Sequence, residues 1–125
     1  MQAPPWNPAT QGDVSIRSAT FDVNGFRTRE FSADDSALPK NASLKFQAST
    51  NVPQPYKVYW QVVNTGDEAE RVGGLRGGFD EGEVTQGFLT RSESTSYRGK
   101  HSIECFVVKN GLLAARSGQF IVNIG

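Results

Sequence analysis

Tyr56-Lys57-Val58-Tyr59-Trp60-Gln61-Val62-Val63-Asn64-Thr65-Gly66 is the stretch of sequence that decides the fold. It is rich in β-branched and aromatic residues, and it follows the proline-bearing segment Val52-Pro53-Gln54-Pro55. Because prolines bar the residues before them from helix and Asn-Thr-Gly is typical of turns, both ends of a strand are marked. Side chains alternate along a strand, so Val58, Trp60 and Val62 share one face. Since tryptophan has the largest apolar side chain, this face predicts the core.

Length, charge and cysteine content limit the class of protein. The chain has 125 residues, enough for one domain with one hydrophobic core. Its formal net charge of zero argues against a surface dedicated to duplex nucleic acid, which normally needs an excess of basic residues. No apolar run approaches the ~20 residues of a membrane-spanning helix, and the N-terminus lacks the apolar core of a signal peptide. The single Cys105 excludes an internal disulfide and predicts a reducing, cytoplasmic setting.

The rest of the chain alternates short β-type segments with turns. Asn24-Gly25 and Lys109-Asn110-Gly111 predict hairpin turns, and the alternation from Ser43 to Ser49 predicts a half-buried strand. The pattern as a whole predicts an all-β fold, an immunoglobulin-like antiparallel β-sandwich of about seven strands. We expect the last strand to run from Leu112 to Ile124 with a bulge or kink at Ser117-Gly118.

The domain boundaries follow from composition. Met1 to Gly12 contains prolines at positions 4, 5 and 8 and is interpreted as a linker or tether, which leaves residues 13–125 as a single β-sandwich domain. The linker has one large apolar residue, Trp6, which is available to dock on the domain. Within the predicted sandwich, Cys105 lies on the strand beside Trp60, and Phe46 stands where a disulfide partner would be expected.

Catalytic chemistry has little support in the sequence. The only histidine, His101, is four residues from Cys105 on a predicted strand, which places the two ~13 Å apart, too far for a base and a nucleophile. The glycine-rich segment 73–78 lacks the Lys-Ser/Thr of a phosphate-binding loop, although Arg76 within it is suited to binding an anion. The acidic residues 80, 81 and 83 fit no calcium-loop spacing, so a solvated turn is the favoured interpretation. The sequence therefore predicts neither an enzyme nor a metal or other cofactor.

The second face of the predicted central sheet is unusual for a solvated surface. It combines aromatic, aliphatic and hydrogen-bonding side chains from two strands, namely Tyr59, Gln61, Val63, Ser102, Glu104, Phe106 and Val108. Two interpretations remain open. One is a second core layer, covered by the N-terminal segment or by another chain. The other is a binding surface on which aromatic rings stack and polar groups recognise a ligand.

Several short motifs between Leu44 and Ile124 resemble one bacterial family. They are Tyr59 to Gly66, Glu68-Ala69, Leu75-Arg76-Gly77, Glu93 to His101, Ile103 to Phe106 and Ala115-Arg116-Ser117-Gly118. The family is the adenylyl/guanylyl cyclase and SMODS nucleotidyltransferase C-terminal sensor domain. The resemblance implies a domain that follows a nucleotide-second-messenger synthase of antiphage defence and senses a ligand rather than catalysing a reaction. It also implies that this chain is either a C-terminal fragment or a small stand-alone relative, with a cyclase or nucleotidyltransferase as its fused or separate partner.

Two functional hypotheses follow from these observations. The first is a sensor that binds a nucleotide or similar small molecule, and the second is a structural domain that docks on a synthase or forms an oligomer. For the first hypothesis, arginines would bind the anionic group, Gln61 and Glu104 would bind the edge of a base, and aromatic rings would stack on it. The alternative for Arg116 and Glu104 is a cross-strand pair that only fastens the last strand. The predicted ligand-binding residues are Tyr59, Gln61, Arg76, Tyr97, His101, Glu104, Phe106 and Arg116.

Overall fold

The computed structural model describes residues 3–66, 68, 71 and 77–125 of the chain. Nearly all regular structure in these ranges is β-strand, and Glu68 and Arg71 have helical conformation. The strands are β1 (Val14–Val23), β2 (Phe26–Glu30), β3 (Ser43–Thr50), β4 (Lys57–Val63), β5 (Phe79–Glu81), β6 (Glu83–Thr85), β7 (Phe88–Ser94), β8 (Gly99–Lys109), β9 (Leu112–Arg116) and β10 (Phe120–Ile124).

The strands form two antiparallel sheets of five strands each, which confirms the predicted β-sandwich. One sheet, the β3 sheet, has the order β2-β1-β3-β7-β6. The other, the β4 sheet, has the order β10-β8-β4-β5, and β9 also pairs with β8. The long strand β8 therefore has β4 along one edge, and along the other edge it has β10 at its start and β9 at its end.

The described residues form ten strands rather than about seven, for identifiable local reasons. The hairpin turn predicted at Asn24-Gly25 is present: both residues have positive φ (54° and 72°), and the end of β1 turns back into β2. The expected kink at Ser117-Gly118 is present and separates β9 from β10. The two three-residue strands β5 and β6 come from the part of the sequence with the weakest periodicity.

Trp60 occupies the centre of the inner core, as its sequence context predicts. Its exposed fraction is 0%, and Val58 and Val62 on the same face of β4 are also buried. Cys105 lies directly opposite Trp60 on β8 and is fully buried as well, and Phe46 of β3 belongs to the same core cluster. The core between the sheets therefore holds the sandwich together through the two central strands of the β4 sheet and through β3.

Candidate functional site

The outer face of the β4 sheet carries most of the predicted ligand-binding residues. Tyr59 pairs with Phe106, and Gln61 pairs with Glu104, so these side chains form adjacent rows across β4 and β8. The face is covered by Trp6, whose ring centroid lies 4.8 Å from that of Tyr59 and 6.1 Å from that of Phe106. Phe79 of β5 completes the layer, with its centroid 5.1 Å from that of Trp6. This face is therefore a second apolar layer under the N-terminal segment.

The polar residues of that face are bonded within the chain. The side-chain Nε2 of Gln61 donates to the carbonyl oxygen of Gly77 at 2.7 Å. The buried Glu104 carboxylate accepts from Nε and Nη2 of Arg116 at 2.8 and 3.0 Å, and from the Gly118 amide at 3.0 Å. These hydrogen bonds with Glu104 raise the pKa of the Arg116 guanidinium above its usual value. Gln61, Glu104 and Arg116 thus fasten a loop and the β9–β10 kink to the sheet, and their role in ligand recognition stays a prediction.

His101 faces the opposite side of the sheet and joins two loops. The Thr65 amide donates to its Nδ1 at 3.0 Å, so the ring proton is on Nε2, which donates to the Tyr97 carbonyl at 2.7 Å. The same loops meet at two glycines with positive φ, Gly66 (105°) and Gly99 (136°). A Cβ on Gly99 would lie 2.3 Å from the Thr65 carbonyl oxygen, so only glycine allows this approach. We call this junction of Thr65-Gly66 with residues 97–101 the clasp.

The clasp borders a cavity of about 220 Å³ at one end of the sandwich, between the two sheets. We call it the end cavity. Its floor is apolar and is formed by Leu44, Phe46, Val62, Ile103, Val122 and Ile124. Its rim is polar and consists of Asn64, Glu93, Ser94, Ser96, Tyr97, His101 and Ser102. The Tyr97 hydroxyl has no hydrogen-bond partner among the described residues, so it can bond a molecule that enters the cavity.

The structure separates the predicted ligand-binding set into two groups. Tyr59, Gln61, Glu104, Phe106 and Arg116 come together on the outer face beneath Trp6, whereas Tyr97 and His101 lie at the end cavity. Arg76 lies outside the described residues.

Sequence reasoning identified only part of the contacts of the two groups. It offered the N-terminal segment as one possible cover of the outer face, but it did not identify Tyr59, Phe79 and Phe106 as the rings that Trp6 contacts. The rim residues Asn64 and Ser96 lie within the family-like motifs Tyr59 to Gly66 and Glu93 to His101, which is the signal in the sequence that points to them.

Other features of the described residues offer weaker candidates. Burial, and then the charge of Glu104, raise the pKa of the Cys105 thiol well above its ordinary value, so this thiol is a poor nucleophile. The described ranges contain no group of three acidic, histidine or cysteine side chains placed to hold a metal ion. A larger depression of about 870 Å³ on the outer face of the β3 sheet is lined mainly by polar side chains, among them Thr20, Lys45 and Ser92.

Within the part of the chain that the structure describes, no helix has the length and apolar character needed to cross a bilayer.

The sequence comparisons agree with the resemblance carried by the motifs. The whole chain, residues 1–125, matches the model of one protein family, the Adenylyl/Guanylyl and SMODS C-terminal sensor domain. The match therefore also includes residues 1–43, in which none of the motifs lie. No curated protein matches the chain.

Proposed function

The chain belongs to the Adenylyl/Guanylyl and SMODS C-terminal sensor domain family, and we propose that it is the non-catalytic sensor of a nucleotide-second-messenger synthase in bacterial antiphage defence. The synthase is a cyclase or nucleotidyltransferase, either fused to the domain or separate from it, and the domain acts in the cytoplasm. The ligand is a nucleotide or a similar small molecule. It binds at the end cavity.

One observation carries the choice of this site. Two of the family-like motifs, Asn64-Thr65-Gly66 and Tyr97 to His101, meet at the clasp, and the clasp forms one border of the end cavity. An apolar floor with a few polar groups on its rim is the usual composition of a small-molecule site. The cavity volume of about 220 Å³ equals that of about seven liquid water molecules, which suits one planar ring system better than a whole nucleotide.

The remaining part of a nucleotide would lie at the mouth of the end cavity. Tyr97 lines the cavity and brings a hydroxyl that could bond a ring edge, and the next residue, Arg98, is exposed and offers a planar fork of donors to a phosphate. Because the net charge of the chain is zero, recognition of an anion depends on such local groups rather than on a general positive field.

Thermal shift against a panel of cyclic and linear nucleotides tests this proposal. A ligand at ~100 times its dissociation constant stabilises the domain by ~2.7 kcal/mol, or about 10 °C for a domain of this size. Tyr97→Phe should leave the unliganded melting temperature within about 2 °C and weaken binding, because it removes a hydroxyl without a partner among the described residues. Tyr56→Phe is the matched control, since Tyr56 is half-buried and lies away from the cavity.

A cavity-filling variant gives an independent test. Val62→Phe places a larger side chain on the cavity floor and should abolish binding while the domain stays folded. No melting shift with any nucleotide, or equal binding by Tyr97→Phe, Val62→Phe and wild type, would contradict the assignment of the site.

The second candidate function is a structural docking or oligomerisation domain. It is favoured by the hydrogen bonds that tie Gln61, Glu104 and His101 to other parts of the same chain. Under this alternative the domain gains stability from a partner protein or a second copy of itself and from none of the nucleotides.

A further inference from the structure

The N-terminal segment docks on the β4 sheet in the manner of an added strand. Alternate residues make the backbone bonds: the Leu113 amide donates to the Asn7 carbonyl at 2.8 Å, and the amides of Ala9 and Gln11 donate to the carbonyls of Leu113 and Ala114 at 2.9 Å. A parallel bridge joins Pro8 to Leu113. We call residues 3–11 the strap.

A single side chain anchors the strap. Trp6 inserts among Tyr59, Phe79 and Phe106, which we call the aromatic cradle, with centroid distances of 4.8, 5.1 and 6.1 Å. Most of the other strap side chains are exposed. Its prolines favour an extended backbone before docking, which lowers the entropic cost of binding to a strand edge. This combination of main-chain bonds for affinity and one pocket for specificity is the pattern of peptide recognition by strand addition.

The strap and its receptor belong to a different hydrophobic cluster from the inner core. Phe106, Val108 and Leu113 form a small cluster with Trp6, Tyr59 and Phe79, whereas the inner core is a different and larger cluster around Trp60. Losing the strap would expose the small cluster and leave the inner core intact. Local opening of this kind is expected where an element has few buried contacts of its own.

We propose that the edge of β9 and the aromatic cradle form a docking groove that holds the strap reversibly. The occupant of the groove is the strap of the same chain. Any link between the strap and a bound ligand rests on the proposed function, and the docking and release of the strap do not. Two states follow, with the strap docked or released, and the sandwich is folded in both.

The groove lies on the same strands as the end cavity. Tyr59 precedes Val62 by three residues on β4, and Phe106 follows Ile103 by three residues on β8, a separation of ~10 Å along each strand. A ligand that shifts these strands at the cavity therefore acts on the walls of the aromatic cradle. This arrangement gives the sensor a physical route by which occupancy of one site changes the docking of the strap.

Hydrogen exchange on the full chain tests the proposal without any ligand. In the wild type, the amides of Ala9, Gln11 and Leu113 should open at low denaturant concentration, while the β8 amides should open only with global unfolding. Trp6→Ala should raise exchange at these three amides by about 30- to 100-fold, because it removes the ring contacts that anchor the strap. Exchange at the Cys105 amide should change little. Trp6→Phe is the matched control and should have a smaller effect.

Two results would overturn the docking groove. One is exchange of the strap amides in the wild type only through global unfolding. The other is equal acceleration of strap and β8 amides in Trp6→Ala. If Trp6→Ala does not fold, hydrogen exchange of the wild type decides whether the strap opens separately. Phe79→Ala, which alters the aromatic cradle and not the strap, should then accelerate exchange of the strap amides several-fold. Failure of nucleotides to bind the end cavity would refute the proposed site and leave this result unaffected.

Discussion

Arg116→Ala should destabilise the domain because Glu104 would remain buried without its main partner. The Glu104 side chain is 3% exposed, and two of its three hydrogen bonds in the described structure come from Arg116. Breaking a fully buried ion pair by removing one partner costs ~3–5 kcal/mol. The Arg116 side chain is 51% exposed, and the Gly118 amide still bonds the carboxylate, so we expect a smaller cost of about 2–3 kcal/mol. This corresponds to a fall in melting temperature of about 8–12 °C.

Thermal unfolding followed by circular dichroism measures this effect, and a double-mutant cycle with Glu104→Gln isolates the pair. Glu104→Gln alone should destabilise less than Arg116→Ala. It removes the buried charge, and the glutamine side chain keeps one oxygen that can accept a hydrogen bond from Arg116. The coupling free energy should be about 1.5–2.5 kcal/mol. A change below 0.5 kcal/mol in Arg116→Ala would refute the reasoning, because it would mean that the pair behaves as a solvent-exposed salt bridge.

Three further predictions concern buried groups. Trp60→Ala should cost ~3–5 kcal/mol in unfolding free energy, and Trp60→Phe should cost less, since the indole N–H has no hydrogen-bond partner among the described residues; denaturant melts of the two variants compare them, and equal losses would contradict the argument. The raised pKa of Cys105 keeps its thiol protonated in the native state, whereas the same thiol in the unfolded chain ionises above pH ~8.5. Because only the unfolded state then loses the proton, the unfolding free energy should fall by up to ~1.4 kcal/mol per pH unit above that point. Cys105→Ala should remove this part of the alkaline slope, and rapid labelling of the native thiol would show that it is not buried. His101→Ala should cost about 2–3 kcal/mol and accelerate exchange of the Thr65 amide, because that amide loses its acceptor; an unchanged melting temperature would show that the clasp forms without the imidazole.

Local sequence patterns predicted the parts of the fold that local rules determine. Alternation placed Leu44 and Phe46 of β3 and Trp60 of β4 on the inner faces of their sheets, and all three are buried there. The Asn24-Gly25 and Asn110-Gly111 turns were predictable because these residues tolerate the positive φ that tight hairpins need. The kink after Arg116 was marked by Ser117-Gly118.

The parts that the sequence did not predict depend on contacts between distant residues. The polar motif residues looked like a ligand-binding set because their identities suit recognition. The pairing of Glu104 with Arg116 was one expected alternative, whereas the partners of Gln61 and His101 could not be read from spacing. Glu104 and Arg116 bond each other across two strands, and His101 bonds Thr65, 36 positions away. The cover on the outer face is Trp6, 53 positions before Tyr59 in sequence, and local patterns gave the N-terminal segment only as one of two possible covers. A motif of polar residues therefore indicates that these residues make specific contacts. Only the three-dimensional structure distinguishes contacts that join parts of the chain from contacts that bind a ligand.

The strap also affects the solubility of the domain. Leu112 to Ala115 are uncharged, contain no proline and form a strand at the edge of a sheet, the composition that promotes pairing between chains and aggregation. Docking of residues 3–11 saturates backbone groups of Leu113 and Ala114 and covers the aromatic rings beside them. A shortened chain that begins at Asp13 would present this edge and those rings to other molecules. We expect such a chain to fold and to self-associate, so proteolysis within the strap should increase the self-association of the domain.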